Sequence, residues 1–434
     1  MSEATLTAPS SGEDVTGRPG RSLPWGWIVF GVATATGLLM AFVVFRIQSL
    51  VDSDVDPYYF GAMGRSLAEG HGFASYGTLL TRRVPLYPMV IGAIYWAFGE
   101  HSNLIFLLHV LFFAGSCALA FNLGRRLFNQ RTGVIAGLIC ALHPVLLRYL
   151  PSLHLETQLT FLIMLLLWLM VRFYERPTWQ RGALIGVAAG AASLTKAVAI
   201  GYPFLFVVGM VLVCIAARRR GEVRPTPWKP LLAILVALGL TIAPWTIRNY
   251  RASGHFVLLT TGTSDAFLRG FIFTEPDYVT LRKPPYTDAE NASNAYFKSL
   301  AEAAGTVWQK DDYETDQILN KEAKRRLLHE PGAVARKFAV GLVAFWYELT
   351  SLKNSMLALV LAVGAWALAI VGWRRAHRER RPSWLLLLPV LYFNISLAFL
   401  LALGRYSVPI LPALLVLSAY GVDTLLDRRA ARHV

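Results

Sequence analysis

The chain has 434 residues, of which 55% are hydrophobic and only 16% are charged. A soluble globular protein carries about 25% charged residues, so this composition excludes an ordinary soluble enzyme. The formal net charge of +15 would suit a nucleic-acid-binding protein. However, the arginines cluster in short segments between long apolar runs, which is the positive-inside pattern of membrane proteins. We therefore expect no nucleic-acid partner.

Apolar runs of membrane-spanning length follow one another along the chain. A span takes about 20 residues, and continuous rather than alternating runs predict helices and exclude a barrel. The predicted fold class is an all-α polytopic membrane protein with about 10 transmembrane helices. The predicted spans are residues 25–47, 102–123, 132–150, 153–173, 182–198, 200–217, 229–247, 355–373, 384–403 and 406–426.

Basic residues set the predicted orientation in the cell membrane. Arg18 and Arg21 precede the first span, which places the N-terminus in the cytoplasm and the following loop outside. The basic tail after the last span places the C-terminus in the cytoplasm as well. In the first outer loop, residues 57–70 have apolar positions at helical spacing and predict an interfacial helix. Residues 84–99 are apolar but short, and predict a second interfacial segment on the same face.

The order of apolar and polar stretches predicts the domain organisation. The long polar region in the second half suits a small cap over the outer face, and its residues 311–328 predict an amphipathic helix. The predicted regions are a disordered cytoplasmic tail at 1–22, an N-terminal transmembrane catalytic module at 23–248 with an outer loop at 48–101, an extracytoplasmic loop or cap at 249–335, C-terminal transmembrane helices at 336–427, and a cytoplasmic tail at 428–434.

Polar residues gather at the predicted outer ends of the spans. They belong to different helices and loops, yet the topology places them all on one face of the membrane. Charged groups are costly near hydrocarbon and mark function there, so they predict an outward-facing polar pocket. The residues are Asp52, Asp54, Asp56, Arg82, Arg83, His143, Arg148, His154, Glu156, Lys196, Arg248, Arg269 and Arg405.

These residue types favour one kind of chemistry. An aspartate at a water interface can serve as general base for a hydroxyl nucleophile, and arginine binds phosphate with a bidentate fork. A lipid tail would lie between the spans, so the set predicts group transfer from a lipid-linked phosphate to an acceptor hydroxyl. Bland alternatives stay open, since Arg248 and Arg405 also fit snorkelling to head groups. Asp56, which precedes a proline, also fits a helix cap.

Five segments of the chain, in order, resemble the GT-C superfamily of membrane glycosyltransferases. The most similar branch contains the bacterial protein O-mannosyltransferases and the lipid A aminoarabinose transferases. The segments are Asp54 with Tyr58 and Ala62, residues 83–88 (Arg-Val-Pro-Leu-Tyr-Pro), 193–196 (Ser-Leu-Thr-Lys), 244–250 (Pro-Trp-Thr-Ile-Arg-Asn-Tyr) and 405–412 (Arg-Tyr-Ser-Val-Pro-Ile-Leu-Pro). Val55 stands where the family often has Glu, so the choice among Asp52, Asp54 and Asp56 as base stays open, although the register favours Asp54.

The resemblance implies an inverting transferase with a polyprenyl-phosphate sugar donor and a lipid, glycan or protein acceptor. It implies no required cofactor, although some relatives bind a metal near the site. The implied catalytic candidates are Asp54, Asp56 and Glu156. The candidates for the donor phosphate are Arg82, Arg83, Lys196, Arg248 and Arg405. The candidates for substrate contact are Tyr58, Tyr87, His154 and Tyr406. A divalent metal, if bound, would take its ligands from Asp54, Asp56, His154 and Glu156.

Two other functions stay open at this point. A lipid or solute transporter or flippase would also place Lys and Arg beside acids, but it predicts inverted repeats and charges at mid-membrane. A polysaccharide polymerase or ligase would also use lipid-linked sugars, but it predicts a catalytic cluster in a late outer loop. Residues 249–335 do contain acids, among them Asp265, Glu275 and Asp277.

Overall fold

The computed structural model describes residues 24–45, 55–75, 78–79, 81–222, 226–275, 286–307, 312–347 and 352–431. The predicted tail at 1–22, Asp52 and Asp54 lie outside these residues. The helices are α1 Trp25–Phe45, α2 Val55–Ala68, α3 Leu86–Phe98, α4 Ser102–Leu127, α5 Gln130–Leu142, α6 Pro144–Leu147, α7 Glu156–Glu175, α8 Trp179–Thr195, α9 Gly201–Arg219, α10 Trp228–Ser253, α11 Thr263–Phe273, α12 Tyr286–Ala303, α13 Asp312–His329, α14 Pro331–Tyr347, α15 Leu352–Arg378, α16 Trp384–Phe399 and α17 Leu411–Ala430.

Short elements complete the described structure. Two-residue strands β1 Ala74–Ser75 and β2 Thr78–Leu79 pair antiparallel. Two 3-10 helices, Ala197–Ile200 and Gly404–Ile410, precede α9 and α17.

The prediction of an all-α polytopic membrane protein is confirmed. Among the described residues, six helices are long and apolar enough to cross a membrane, namely α4, α7, α9, α10, α15 and α17, the α9 and α17 spans each including the preceding 3-10 helix. Four shorter apolar helices are also described, namely α3, α5, α16 and, within α1, residues 25–40. Each predicted span coincides with a helix, and the predicted amphipathic helix at 311–328 coincides with α13.

The predicted span at 182–198 corresponds to α8, which belongs to neither of these groups of apolar helices. Glycines at every fourth position let α8 pack directly against the backbone of α10. A Cβ atom on Gly182 would meet the Pro230 carbonyl oxygen at 2.2 Å, and one on Gly186 would meet that of Ile234 at 2.4 Å. Small residues with this spacing permit close helix approach, so α8 and α10 run parallel as one unit.

The last helix, α17, forms the centre of the bundle. Within its span, 89% of the most apolar window is buried, against 28% for α10. Near its end, buried Asp423 accepts a hydrogen bond from Nδ2 of Asn129 at 2.9 Å. This contact ties the end of α17 to the start of α5, and the 3-10 helix Gly404–Ile410 lies at the other end of α17.

Helices α11, α12 and α13 form a small polar-faced layer, here called the cap. Its own core contains Phe267, Leu268, Phe271, Phe297 and Leu319. The cap rests on α14 and α16, where Nζ of buried Lys337 donates to the Phe399 carbonyl at 2.6 Å. The predicted division into domains remains a prediction, but the cap falls within the predicted outer region.

Candidate functional site

A cavity of about 740 Å³ lies between the transmembrane helices and the cap. Such a volume fits a ligand of small-molecule size. We call its transmembrane side the inner wall, formed chiefly by Arg83, Glu156, Lys196, Tyr406 and the apolar residues of α16. We call its cap side the outer wall, formed by Tyr313, Asp316 and Gln317.

Lys196 enters the inner wall because α8 ends at Thr195. The backbone of Lys196 is extended, with φ −148° and ψ 115°, and the 3-10 helix starts directly after it. Its Nζ lies 3.1 Å from the centroid of the Tyr406 ring. An ammonium over an aromatic face is stabilised by the ring quadrupole, so Lys196 and Tyr406 are positioned together.

Glu156 begins α7 and is only 2% exposed. Its Oε1 lies 3.9 Å from Nε of Arg405, which the 3-10 helix before α17 carries. Among the described residues, none donates a hydrogen bond to its Oε2. A buried carboxylate needs a cationic neighbour, so Glu156, which lines the cavity, forms one unit with Arg405, which does not line it.

Arg82 and Arg83 differ in their surroundings although both line the cavity. The guanidinium of Arg82 forms an ion pair with Asp265 of the cap, and its backbone N–H donates to Oδ2 of Asp312 at 3.1 Å. The backbone N–H of Thr81 donates to the same oxygen at 2.8 Å. The guanidinium of Arg83 instead lies 5.8 Å from the Phe60 ring centroid. Arg82 thus fastens the cap, whereas Arg83 belongs to the inner wall.

Asp265 links the cap to the rest of the molecule from the first turn of α11. Besides Arg82, it pairs with Arg269, whose Nε lies 2.6 Å from Oδ1. Arg269 also pairs with Glu290 of α12 at 2.8 Å. The sequence marked Asp265 as one acid of the outer region and Arg269 as one outer cation, but gave no sign of the ion pair with Arg82.

Asp316 was not among the predicted site residues. It lines the cavity from α13, and its buried Oδ1 has no hydrogen-bond partner in the described part of the chain. The pKa of this carboxyl is raised from 3.8 to about 6, chiefly by burial; the carboxylates of Asp265 and Asp312 contribute to the rise and Arg82 opposes it. The signal available in sequence was the i, i+3, i+4 spacing of Tyr313, Asp316 and Gln317 on a predicted helix.

Besides Arg405, three predicted site residues that the structure describes do not line the cavity. The hydroxyl of buried Tyr87 lies 3.2 Å from Nε2 of His109, and its ring packs edge-on against Phe60. Nδ1 of buried His154 lies 2.8 Å from the Ser152 hydroxyl. Neither lines the cavity, and their predicted contacts with substrate remain predictions.

Arg248 is the third of these residues. Its guanidinium donates to the Phe73 carbonyl at 3.0 Å and lies 4.8 Å from the Trp245 ring centroid. The neighbouring side chains shape the cavity instead: Nε1 of Trp245 donates to the Leu259 carbonyl at 2.8 Å, and Nδ2 of Asn249 donates to the same oxygen at 3.2 Å. The Pro-Trp-Thr-Ile-Arg-Asn-Tyr segment therefore holds the loop at 257–261, which lines the cavity.

For the acids of the first outer loop, the structure describes only the part of the chain that starts at α2. This helix begins at Val55, directly after Asp54, and its Phe60 lines the cavity. Of Asp56 and Tyr58 only the backbone, within α2, is described. A Cβ atom on Gly64 would meet Cγ2 of Ile91 at 2.3 Å, so α2 packs closely on α3.

The predicted metal ligands are only partly described. Within the described ranges, no three His, Cys, Asp or Glu residues are placed to hold a metal ion. His154 and Glu156 are described, whereas Asp54 and the side chain of Asp56 are not. The metal site therefore remains a prediction.

Comparisons with known proteins agree with this geometry. The family model described as dolichyl-phosphate-mannose-protein mannosyltransferase matches residues 82–247, a stretch that contains Arg83, Glu156 and Lys196. A comparison with curated proteins gives no match. Among solved structures, the oligosaccharyltransferase AglB from Archaeoglobus fulgidus superposes with a TM-score of 0.57 at 13% sequence identity, covering 94% of this chain and 52% of that one.

The chain has a GT-C fold. This confirms the resemblance inferred from the five sequence segments. The chain spans about half the length of the oligosaccharyltransferase that it matches. A second solved structure, ArnT from Cupriavidus metallidurans, matches with a TM-score of 0.41 at 19% identity over 92% of this chain and 79% of that one.

Proposed function

We propose that the chain is an integral membrane glycosyltransferase. It moves a sugar from a polyprenyl-phosphate donor to an acceptor hydroxyl on the extracytoplasmic face, to which the positive-inside pattern assigns the cavity. The observation that carries this proposal is one cavity in which Arg83 and Lys196 stand beside an apolar surface from the 3-10 helix Ala197–Ile200 and from α16. The match to a mannosyltransferase family model and the AglB fold support it.

The inner wall suits both parts of such a donor. Arg83 and Lys196 supply positive charge for the phosphate. Val198, Leu397 and Leu400 line the same cavity and suit the first isoprene units. In the matching AglB structure, the protein was solved with a dolichol-phosphate and an inhibitory peptide, which supports a lipid-phosphate donor for this chain as well.

In the proposed reaction, Asp54 accepts the proton of the acceptor hydroxyl. The acceptor oxygen forms a bond to the anomeric carbon while the bond from that carbon to the phosphate oxygen breaks. The polyprenyl phosphate leaves with the electron pair of the broken bond, and attack from the opposite side inverts the configuration. Arg83 and Lys196 stabilise the charge that develops on the phosphate, and the step needs no cofactor.

Glu156 is better suited to positioning than to proton transfer. It is buried at the start of α7 beside Arg405, and a carboxylate so placed orients the guanidinium next to it. We assign Arg405 to the donor phosphate through this pair. Asp56 is the alternative base, since it lies two residues beyond Asp54 at the start of α2.

Sugar transfer by membrane preparations tests the proposal. Undecaprenyl phosphate carrying labelled mannose, glucose, arabinose or aminoarabinose would be supplied together with native envelope acceptors. The expected result is labelled acceptor and released undecaprenyl phosphate, absent from matched membranes that lack the chain. Movement of intact lipid across the bilayer without release of phosphate would replace the proposal with a flippase.

A further inference from the structure

The outer wall presents a helix face that the proposed reaction does not use. Tyr313, Asp316 and Gln317 all line the cavity from α13. They occupy positions i, i+3 and i+4, which share one face of a helix. An aromatic ring, a carboxylate and a carboxamide therefore stand side by side and line the same cavity as the cations of the inner wall.

Asp316 restricts the chemistry of the ligand. Its Oδ1 is buried, and the described residues offer it no hydrogen bond. A phosphate brings negative charge and no donor at neutral pH, and an isoprenoid chain brings neither donor nor acceptor. A hydroxyl group donates a hydrogen bond and is neutral, so the group that satisfies this oxygen is a hydroxyl-bearing one.

The neighbours of Asp316 extend this match. The Gln317 carboxamide both donates and accepts hydrogen bonds, so with Asp316 it complements two adjacent hydroxyl groups. The Tyr313 ring is stacked on His255 with centroids 3.8 Å apart and planes within 8°, which fixes its position at the rim. A fixed aromatic surface beside two convergent polar groups is how binding sites orient small polar ligands.

We propose that Tyr313, Asp316 and Gln317 form the sugar-binding face of the cavity, with Asp316 and Gln317 hydrogen-bonded to neighbouring hydroxyl groups of the donor sugar. The inference rests on the proposed function and names where its sugar selectivity lies. The phosphate is held by the inner wall and the sugar, one bond away, by the outer wall.

Lipid binding to the full chain in nanodiscs tests this division. The probes are bare undecaprenyl phosphate and undecaprenyl phosphate carrying mannose, glucose or arabinose. We expect wild type to bind at least one sugar-carrying lipid more tightly than the bare lipid. Asp316→Ala should weaken binding of that lipid about tenfold, since it removes a charge-assisted hydrogen bond, and should change bare-lipid binding less than twofold.

Glu314→Gln is the matched control, because it removes one carboxylate from an exposed position of the same helix and should change neither affinity. If Asp316→Ala misfolds and therefore also loses binding of the bare lipid, the same binding measurement is made with Asp316→Asn, which keeps the size of the side chain. Unchanged affinity of Asp316→Asn for the sugar-carrying lipid overturns this inference alone. Failure of wild type to bind any of the lipids overturns the proposed function and this inference with it.

Discussion

The two walls of the cavity are built in different ways. The inner wall draws Arg83, Glu156, Lys196 and Tyr406 from segments far apart in the chain, each close to the point where a helix begins or ends. The outer wall takes Tyr313, Asp316 and Gln317 from a single helix of the cap, α13, beside which Thr263 and Ala266 of α11 also line the cavity. The difference teaches that the charged groups suited to a phosphate stand on the rigid bundle, while the groups suited to selectivity stand on a separate layer that can vary without disturbing the bundle.

Replacing the proposed base should have the largest effect. We expect Asp54→Asn to lower sugar transfer about 10²–10⁴-fold, the usual contribution of a general base, while binding of the donor persists. The measurement is initial transfer rate in membranes with matched expression. Asp56→Asn is the control and should retain most activity. Loss in Asp56→Asn with survival of Asp54→Asn would move the base two residues along.

Lys196→Ala should show that the inner wall acts on phosphate. A charge-assisted hydrogen bond contributes about 1.5–3 kcal/mol, so we expect kcat/KM to fall about 10–100-fold. Bare undecaprenyl phosphate should lose affinity in parallel, which sets this variant apart from Asp316→Ala. Lys196→Arg keeps the charge and should recover part of the loss. A loss confined to sugar-carrying lipids would contradict the division between the walls.

Asp265→Ala should loosen the outer wall from the inner one. The change leaves buried Arg269 and partly buried Arg82 without their shared carboxylate, which we expect to destabilise the cap by about 2–3 kcal/mol. Faster proteolysis within residues 263–329 would report this. Glu290→Gln removes only the outer partner of Arg269 and should cost about 0.5–1 kcal/mol. Equal protease resistance of wild type and Asp265→Ala would show that the ion pairs of Asp265 do not hold the cap in place.

Asp316→Asn should have the smallest effect, seen as a change in pH dependence. With the pKa raised from 3.8 to about 6, the folded chain holds a proton that the unfolded chain has lost between these values. This group therefore lowers stability progressively as pH rises through that window. Removing it should stabilise the chain at pH 7.5 by about 1 kcal/mol after allowance for solvent screening and by nothing near pH 3.5. Thermal unfolding at both pH values measures the difference, and an equal shift at both would contradict it.

The transmembrane part of the fold could be predicted from the sequence because a continuous apolar run marks each predicted span. Lys196 could be predicted for the same reason, since it interrupts such a run. The hydrogen bonds from the backbone N–H groups of Thr81 and Arg82 to Asp312 could not be predicted. The partners stand 231 and 230 residues apart in the chain, and no local pattern links them. Arg248 shows a different limit: a motif gives the order of residues but not the direction in which each side chain points.

The parallel packing of α8 and α10 has a consequence for how such a site changes over time. Lys196 follows the last residue of α8, and Trp245 and Asn249 lie at the corresponding end of α10. The close contacts of the α8 glycines with α10, at Gly182, Gly186 and Gly190, therefore set the distance between these two ends and with it the width of the cavity. A methyl group added at Gly186, well away from any ligand, would spread the two helices and reset that width. A change at one of these glycines would thus alter the size of the sugar that fits without replacing any residue that lines the cavity.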